Sequence, residues 1–583
     1  MRSTFSGLNT MVRGVFANQL SLDTVGHNIT NASTEGYSRQ AVNQAATRAL
    51  EVPSIYGGVL VGTGVDALSI QRARNIYADK QYWAETSTHE YYKAAQVNYD
   101  KLEAIFDDSD NTGIKDAMDQ FYRAWSDLST NASTDSNRVT VIEKGNIFVD
   151  KLSTAASQLQ DQINAQYDDI RVHLTTINDI NDQIVELNKN IMGAEAVGAQ
   201  ANDLRDQRDL LVDELSTYMN INVYEDDKGM YTLVSNGISM VNGINKLTLE
   251  MSDPITNKDY GLNDYSIQIK ESGIAFIPQN GALRAELDTI AEDKGYIDSL
   301  ADMAGFMLTV FNHFHQQGAG IDNDSGTLGT ASGPTFGINF FGDDNTVYYW
   351  DDTNSCVVAT EYDSATITRS LAVSATDTPE VQISGTVTET NNLKGMNIIN
   401  AMRVNARLTA SGGSSQVAAR SLTVEEEADA ATGAYTGNYK VVANGTKDGT
   451  NAVNLSSLFN LSADNIAKFT NTSTIYYQDA TSGALVIVPT DRSVGDISLN
   501  AYYQSVMSTL GTDAASIDTK ESAQDDLITQ IVNWRSSTSG VDWNEELTNM
   551  ITFQKGYSAC SRCLTTMDEM LDRLINSTGV VGR

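Results

Sequence analysis

The sequence predicts an α+β multidomain protein, in which a long coiled-coil-like α-helical bundle built from both chain ends carries β-rich outer domains. Three observations support this fold class. No proline occurs between Pro53 and Pro254, and apolar residues recur every three or four positions within that stretch. Later segments are rich in Ser, Thr, Gly and Asn around short apolar runs. The 583 residues are enough for several hydrophobic cores.

The longest predicted helix covers at least residues 149–191, about 65 Å at ~1.5 Å per residue. Its seam steps by three and four residues, as in a heptad repeat. The seam consists of Val149, Leu152, Ala156, Leu159, Ile163, Gln166, Ile170, His173, Ile177, Ile180, Ile184, Leu187 and Ile191. A second helix, 202–218, is expected to fold back along it after a glycine-containing turn at 193–198. Shorter helical patterns cover 75–106, 114–128, 283–317 and 512–534.

Two regions have strand patterns instead. Residues 221–279 alternate apolar and polar residues around Lys228-Gly229, Asn236-Gly237 and Asn242-Gly243, which predicts hairpins. Residues 318–500 predict one or two β-rich domains, with a helix near 393–404. The predicted domains are a terminal helical assembly domain (1–50 and 541–583), a long-helix bundle (51–220, 283–320 and 501–540), a β-rich domain (221–282 and 321–404) and a β-rich insertion or outer domain (405–500).

Each chain end carries its own apolar stripe. The N-terminal stripe is Phe5, Leu8, Val12, Val15, Gln19, Leu22, Gly26 and Ile29, and the C-terminal stripe is Met550, Phe553, Tyr557, Cys560, Leu564, Met567, Leu571 and Leu574. Such stripes need a partner, and the mirrored seams favour pairing of the two ends with each other or with the ends of other subunits. Packing of each end on a globular core is the alternative. We expect the ends to be poorly ordered in a monomer and to fold on assembly.

The net charge is −36, which argues against nucleic-acid binding and against docking on an anionic membrane. Residues 1–40 carry three arginines against two carboxylates, and residues 541–583 carry four cations against six carboxylates. Nearly all of the negative charge therefore lies between the ends, which can crowd together without large repulsion. The apolar runs are shorter than a membrane span, and the N-terminus lacks the pattern of a cleavable signal peptide.

Motifs for chemistry are weak. Cys560-x-x-Cys563 has zinc spacing but no partner pair, so packing of Cys560 on the seam is favoured. His313 and His315 are two apart and poorly placed as co-ligands. The stretch 108–113 with Asp119 resembles the start of an EF-hand loop but lacks its final glutamate, so a turn before a capped helix is favoured over a calcium site. The sequence contains no phosphate loop, nucleophile elbow or HExxH motif. We therefore predict no enzyme, no cofactor and no metal site.

Two terminal motifs resemble a known family. Residues 26–40 (GHNITNASTEGYSRQ) resemble the N-terminal signature of the axial proteins of the bacterial flagellum, although Glu35 stands where that signature usually has proline. Residues 539–546 (SGVDWNEE), with the following C-terminal stripe, resemble the matching axial C-terminus. Residues 204–216 (LRDQRDLLVDELS) and 311–318 (FNHFHQQG) are similar to the hook-associated members found at the hook–filament junction. The resemblance covers roughly 1–320 and 500–583.

The resemblance implies a structural adaptor subunit that assembles as a ring at the hook–filament junction through its paired terminal helices. Implied partners are other copies of the chain, the hook protein, a neighbouring junction protein and an export chaperone. The implied location is the extracellular flagellum, reached through the flagellar type III apparatus without signal cleavage.

The implied assembly residues are Phe5, Leu8, Val12, Val15, Leu22, Asn28, Ile29, Asn31, Gly36 and Tyr37 at one end, and, shared with the chaperone, Met550, Phe553, Tyr557, Cys560, Leu564, Met567, Leu571 and Leu574 at the other. Two alternatives stay open. One is another axial subunit of the rod or hook. The other is a surface-binding or adhesion module, with 405–500 carried on a helical stalk.

Overall fold

A computed structural model describes residues 6–54, 57–108, 112–196, 198, 200–323, 328, 333–374, 378–428, 435–462, 465, 474–479, 484–488 and 497–577. Both chain ends are helical. Helix α1 (Ser6–Thr30) is followed by four strands that form two successive antiparallel ladders, β1 (Gln40–Ala46) with β4 (Val65–Arg72) and β2 (Leu50–Ser54) with β3 (Gly57–Val61). The last helix, which packs lengthwise against α1, is Trp543–Ser577.

The predicted bundle helices are confirmed. They are α2 (Ile76–Ile105), α3 (Ile114–Thr130), α4 (Asp135–Glu195), α5 (Asn202–Tyr218) and α6 (Ala282–Phe306). Helix α4 has 61 residues, so it is about 90 Å long. Ten of its predicted seam positions are buried, while Val149, His173 and Leu187 are half-buried. Helix α5 folds back on α4 as expected.

The helix predicted over 283–317 is not uniformly α-helical. After α6 the turns widen into a π-helical segment, Met307–Phe311, before α7 (Asn312–Gln316). The side chain of Asn312 clamps this segment to a neighbouring loop. Its Oδ1 accepts from the backbone N–H groups of Phe340 and Phe341 at 2.9 Å each, and its Nδ2 donates to the Phe341 carbonyl at 2.7 Å. Asn312, directly after the π-helical segment, thus joins this helix to the outer part of the fold.

Residues 222–269 form short strands, as predicted. They are β5 (Asn222–Glu225), β6 (Tyr231–Ser235), β7 (Ile238–Asn242), β8 (Asn245–Lys246), β9 (Leu249–Met251), β10 (Ile255–Asn257), β11 (Leu262–Asp264) and β12 (Ile267–Ile269). Strands β5–β8 form one meander. Asn236 and Gly237 link β6 to β7 with φ of 47° and 76°. Positive φ at both positions is what a tight hairpin of this type requires, which explains the Asn-Gly pair.

The remaining strands join residues that are far apart in sequence. They are β13 (Gly318–Ala319), β14 (Thr346–Asp351), β15 (Cys356–Tyr362), β16 (Thr368–Val373), β17 (Pro379–Ser384), β18 (Val387–Leu393), β19 (Arg420–Ala428), β20 (Tyr435–Ala443), β21 (Thr474–Gln478) and β22 (Leu485–Ile487). Strand β19 pairs with β13, and β21 pairs in parallel with β17. Strands of the 405–500 region therefore complete sheets begun earlier in the chain. The division of the chain into folding domains stays a prediction.

In the part of this region that the structure describes, the α-helices among these strands are α8 (Met396–Ala401), near the predicted position, α9 (Ala406–Thr409) and α10 (Thr450–Ser457). The helix predicted over 512–534 is longer, α11 (Leu499–Ser539), because Ser498 caps it by accepting from the Ala501 N–H at 3.2 Å and no proline interrupts it. The last helix is α12 (Trp543–Ser577). Among the described residues, no helix combines the length and apolarity needed to cross a bilayer.

The largest core joins the bundle to the outer region through a cluster of aromatic rings. Phe121 of α3 lies 5.5 Å from Phe311 and 5.6 Å from Phe340, ring centre to ring centre. His313 and His315 are both buried beside this core. Burial lowers the pKa of His315 to about 4, and its ring joins the Ile338 carbonyl at 2.9 Å to the Ala418 N–H at 3.0 Å. Both histidines are thus core residues.

Candidate assembly interface

Helices α1 and α12 form an antiparallel pair whose register is visible from its closest approaches. A Cβ on Gly7 would lie 2.5 Å from Met567 Cε, and one on Gly14 would lie 3.0 Å from Cys560 Sγ. On α12, a Cβ on Gly556 would lie 2.5 Å from Asn18 Oδ1. Glycine at these positions lets each partner side chain settle against the opposing backbone, which is how the two helices come so close.

The predicted N-terminal residues lie along this pair and in the loop after it. Leu8, Val12, Val15, Leu22, Ile29, Asn31, Gly36 and Tyr37 are half-buried, and Asn28 is buried; Phe5 lies outside the described residues. On α12, Met550, Phe553, Cys560, Leu564, Met567 and Leu571 are half-buried. Tyr557 and Leu574 are more exposed, at 38 % and 54 %. Gly556, rather than the predicted Tyr557, faces α1 at this turn of the C-terminal stripe.

A buried asparagine fixes the base of the pair. Asn28 Oδ1 accepts from the Gln40 N–H at 2.9 Å and from the Tyr37 hydroxyl at 2.8 Å. Its Nδ2 donates to the Gln40 carbonyl at 2.9 Å and to Glu546 Oε2 at 3.1 Å. Four hydrogen bonds thus hold together α1, the loop after it, β1 and the first turn of α12. Burial and the nearby carboxylates raise the pKa of Tyr37, so its hydroxyl remains a donor.

Arg39 joins the same loop to both ends of the turn between α11 and α12. Its Nε donates to Glu546 Oε1 and its Nη2 to Glu545 Oε1, each at 2.7 Å, and its backbone N–H donates to the Ser539 carbonyl at 2.9 Å. Glu546 is 1 % exposed, and its buried carboxylate is paired with this arginine and accepts a hydrogen bond from Asn28. The N-terminal signature and the acidic C-terminal motif are therefore two halves of one contact.

The loop after α1 turns at Gly36, whose φ is +75°. A Cβ at this position would lie 3.1 Å from the Leu210 Cβ of α5. Asn31 closes the end of α1 by donating to the His27 carbonyl at 3.0 Å and accepting from the Thr34 hydroxyl at 3.2 Å. Glu35 is exposed, so the turn forms with a solvated side chain at the position where the axial signature has proline.

An acidic face of α5 anchors the terminal unit to the bundle. Asp206 and Asp209 each accept from Arg72 Nη1 of β4, at 2.7 and 2.8 Å. Asp206 Oδ2 also accepts from the Ser38 N–H at 3.0 Å. Burial alone would raise the pKa of Asp209, but Arg74 and Arg72 hold it below its ordinary value. The buried carboxylate is therefore ionised and paired.

The same face of α5 continues to the end of α11. Asp213 accepts from Arg535 Nη2 and from Trp83 Nε1, both at 2.6 Å. Arg535 Nε also lies 2.8 Å from Asp79 Oδ1 of α2. Asp206, Asp209 and Asp213 are spaced three and four apart, so they share one helix face. That face holds β4, α2 and α11 together. We call these three aspartates, with Arg72, Arg74 and Arg535, the arginine–aspartate ladder.

In the sequence, residues 204–216 stand out only by their similarity to hook-associated proteins, and no contact of the ladder aspartates is predicted. The signal was present, because three aspartates recur at helical spacing in LRDQRDLLVDELS. The arginines that meet them lie more than 130 positions away from Asp206 and Asp213, and no local pattern links them.

The arrangement binds and orients helices. Within the described ranges, no cluster of three or more His, Cys, Asp or Glu side chains could hold a metal ion. The EF-hand-like stretch lies partly outside the described residues, at 109–111. Asp108 at its edge accepts from the Tyr503 hydroxyl at 2.7 Å and the Lys115 N–H at 3.3 Å. The cysteine at 560 packs against α1, and the one at 563 is exposed.

Two family models match the chain. The model of the flagellar hook-associated protein FlgK helical domain matches residues 99–329, which contain the long helix and the ladder aspartates. The model of the flagellar basal body rod FlgEFG protein C-terminal region matches residues 535–577, which contain α12.

Full-length relatives agree with these matches. Flagellar hook-associated protein 1 of Bacillus subtilis is 26 % identical, covering 100 % of both chains. The protein of the same name from Escherichia coli is 26 % identical over 98 % of this chain and 99 % of its own. The solved structure of the flagellar hook junction protein FlgK from Burkholderia pseudomallei superposes with a TM-score of 0.53 and 16 % identity, covering 79 % of this chain and 100 % of that one. The structural match establishes a common fold.

Proposed function

Since this chain belongs to the family of flagellar hook-associated protein 1, we propose that it is a structural adaptor subunit of the bacterial flagellum, assembling as a ring at the hook–filament junction through its paired N- and C-terminal helices. The relatives favour this role over an adhesion module on a helical stalk. The family is one of structural flagellar proteins, and the proposed role requires no catalytic centre and no cofactor.

One observation carries the proposal. The N-terminal signature and the C-terminal acidic motif meet at Asn28, Arg39 and Glu546, so the two ends of the chain form a single unit. The arginine–aspartate ladder holds that unit against the bundle at α5. A subunit that joins two tubular segments needs such a connection, because a load on the terminal helices must reach the body of the subunit.

The proposed partners are other copies of the chain, the hook protein, a neighbouring junction protein and an export chaperone that binds the C-terminal helix. The flagellum, an extracellular appendage, is the location that the family implies. Export through the flagellar type III apparatus is part of the proposal. The apolar residues of the C-terminal stripe support the chaperone role, because they are exposed to water whenever α1 is not paired with α12.

Deletion of the gene tests the junction role. We expect cells that build complete hooks but release filament monomers into the medium, detected by electron microscopy and by immunoblotting of the supernatant. Complementation with the wild-type gene should restore filaments. Missing hooks would contradict the junction assignment and favour a rod or hook subunit.

A matched pair of variants tests the terminal contact. Asn28→Ala removes all four side-chain hydrogen bonds of the buried asparagine and leaves Glu546 with one fewer partner, so we expect little or no filament restoration. Asn9→Ala changes an exposed asparagine of the same helix and should restore filaments as the wild type does. Equal restoration by both variants, at equal protein levels, would contradict the role of the Asn28 contact.

A further inference from the structure

Helix α11 lies antiparallel along α2, and the seam between the two helices is polar at its centre. The seam residues of α11 recur every three or four positions: Leu510, Ala514, Ile517, Glu521, Gln524, Ile528 and Ile531. Leu510 and Ile531 are buried, and none of the residues between them, all of which the structure describes, is buried. A seam of this spacing usually carries apolar residues, but Glu521 and Gln524 occupy its central turn. The middle of α11 is therefore held on α2 by polar contacts.

His89 of α2 lies opposite this central turn. Its Nε2 lies 3.5 Å from Glu521 Oε1 and 3.7 Å from Asp525 Oδ1. Its Nδ1 lies 3.3 Å from Oε1 of Glu90, the next residue of α2. The His89 side chain is 13 % exposed, and its Nε2 is buried without a hydrogen bond to any described residue. We call His89, Glu90, Glu521 and Asp525 the His89 layer.

Carboxylates face both ring nitrogens of His89, so the layer suits one protonation state of the ring. A neutral imidazole has one N–H donor, and its other nitrogen carries a lone pair that a carboxylate repels. The imidazolium form has two donors and a positive charge, so it attracts Glu90 at one nitrogen and the two carboxylates of α11 at the other. The charge of a histidine changes between about pH 5 and about pH 8. The contact between α2 and α11 is therefore complete only when His89 carries a proton.

Other charged side chains leave the surroundings of His89 acidic. They are Glu85 and Lys93 on α2, Lys520 on α11 and Glu214 on α5. Lys93 pairs with Glu90 at 3.2 Å, and the Lys520 ammonium lies over the ring of Tyr92, 5.7 Å from its centre. Together with the three carboxylates of the His89 layer, five carboxylates lie near two lysines. A proton on His89 therefore reduces the repulsion between α2 and α11 and also adds an attraction.

We propose that the His89 layer is a pH-sensitive latch, in which protonation of His89 closes the middle of α11 on α2 and loss of that proton lets residues 511–530 open locally. The buried Leu510 and Ile531 keep both ends of this stretch docked, so the opening is confined to about five turns of helix. Closure is favoured at about pH 5 and weakened at about pH 8. Because α11 leads directly into α12, acidity tightens the part of the body from which the C-terminal helix emerges.

Hydrogen–deuterium exchange of the full chain, followed by mass spectrometry, tests the latch. The quantity compared is the protection factor of peptides within 511–530, which divides out the pH dependence of exchange in an unfolded chain. We expect this factor to fall about tenfold between about pH 5.5 and about pH 7.5, because the proton stabilises the closed state and not the open one. An unchanged protection factor would overturn the proposal.

Two histidine variants assign the effect to one ring. His89→Gln keeps a polar side chain at this position but cannot take up a proton, so it should lose most of the change with pH. His173→Gln is the control, because His173 lies 3.0 Å from Glu286 of α6 and thus pairs with a carboxylate outside α11. It should keep the wild-type change within 511–530. A His89→Gln chain that shows the wild-type change would overturn the proposal.

A second pair of variants keeps the histidine and removes a carboxylate. Glu521→Gln takes away one partner of the protonated ring and should lessen the change with pH. Asp526→Asn removes the same charge from an exposed position of the same helix and should leave the change as in the wild type. Equal reductions by the two variants would overturn the proposal, because they would indicate a general effect of net charge. A Glu521→Gln chain with the full wild-type change would overturn it as well.

Discussion

At the residue scale, the turn after α1 depends on having no side chain at Gly36. Its φ of +75° lies in the left-handed region, and the missing Cβ makes room for Leu210 of α5. The turn directs Tyr37, Ser38 and Arg39 toward Asn28, Asp206 and Glu546 respectively. One backbone conformation therefore positions three of the contacts that join the terminal unit to itself and to the bundle.

Two glycine substitutions should have opposite effects. Gly36→Ala introduces a Cβ at positive φ and against Leu210, so we expect a loss of about 1–2 kcal/mol in the free energy of unfolding. Gly26→Ala lies inside α1, where a Cβ would meet nothing within 4 Å, and should be neutral or stabilising by up to about 1 kcal/mol. Urea denaturation followed by the helix signal checks both. A stable Gly36→Ala protein would show that the turn tolerates another conformation.

At the element scale, buried polar contacts rather than apolar area fix how helices are oriented. The arginine–aspartate ladder does this for α5, α2 and α11. A polar layer between α2, α4 and α6 does it in the bundle, where Asp293 accepts from Asn98 Nδ2 and Gln162 Nε2 at 3.1 Å each. Gln166 Nε2 adds hydrogen bonds to Asn98 Oδ1 at 2.6 Å and to Thr289 at 3.1 Å. A one-turn slip of any of these helices would leave buried groups unpaired, which specifies the register.

Removal of one ladder arginine should be costly. Arg72→Met leaves Asp206 and Asp209 buried with part of their positive charge missing, so we expect a loss of about 3 kcal/mol in the free energy of unfolding. Lys93→Met breaks an exposed pair with Glu90 on α2 and should change it by less than about 0.5 kcal/mol. Chemical denaturation of the two variants checks the difference. Similar losses would mean that the ladder aspartates are solvated or find other partners.

The polar layer should make stability depend on pH through one carboxyl group. Burial raises the pKa of Asp293 to about 7, although hydrogen bonds from Asn98, Gln162 and Gln166 oppose the shift. Between about pH 4 and pH 7 the folded chain keeps a proton that the unfolded chain has released. Stability from this group is thus fully present below about pH 4 and is lost as the pH rises to about 7, by up to about 1.4 kcal/mol per pH unit.

Asp293→Asn removes that titration. As the pH rises from 4 to 7, the free energy of unfolding of the wild type should therefore fall relative to that of the variant. Above pH 7 the difference should stay constant. Urea denaturation at a series of pH values measures it. Val172→Ala, at an exposed valine of α4 that has no titrating group, should give a difference that does not change in this window. A flat difference for Asp293→Asn would show that this carboxyl group is ionised throughout.

At the scale of the whole molecule, the terminal unit is held less extensively than the body. Helix α12 has many exposed residues on most of its surface, whereas α4 is buried along one complete side. Core residues of the bundle form one continuous cluster with part of the outer region, and a second, smaller cluster lies among the outer strands. The arginine–aspartate ladder and the contact at Glu546 join the terminal unit to the larger cluster. The terminal unit is therefore attached to the body through fewer buried contacts than those that hold the body together.

Limited proteolysis of the dilute monomer should reveal this difference. We expect the first cleavages within about 1–50 and 541–583, with a middle fragment that persists, because local opening costs least where few groups are buried. Mass spectrometry of the time course identifies the cut sites. Ends that remain intact while the middle is cut would show that the paired helices are already stable in the monomer.

The sequence predicted the elements whose pattern is local. The seam of α4 repeats every seven residues, and Asn-Gly at 236–237 is the residue pair typical of a tight hairpin turn. Both could therefore be recognised without a structure. The close approach of Gly14 to Cys560 could not, because it depends on the register between helices more than 500 residues apart. Strand β21 was predicted as part of an outer region of its own, yet it extends the sheet of β17; short apolar strands do not specify which sheet they join. The ladder was missed for the same reason, since Asp213 and Arg535 meet only after α11 has packed.

The pairing of α1 with α12 also sets an order of events. These two helices hold contacts of very long range, such as the hydrogen bond between Asn28 and Glu546, which are separated by 518 positions. Contacts of such separation form late, since the entropy of closing the loop must be compensated by structure already formed between the ends. The body can therefore fold while the assembly surface is still in two pieces. A subunit becomes competent to join its neighbours only after the rest of it is complete, so the topology itself delays self-association until folding has finished.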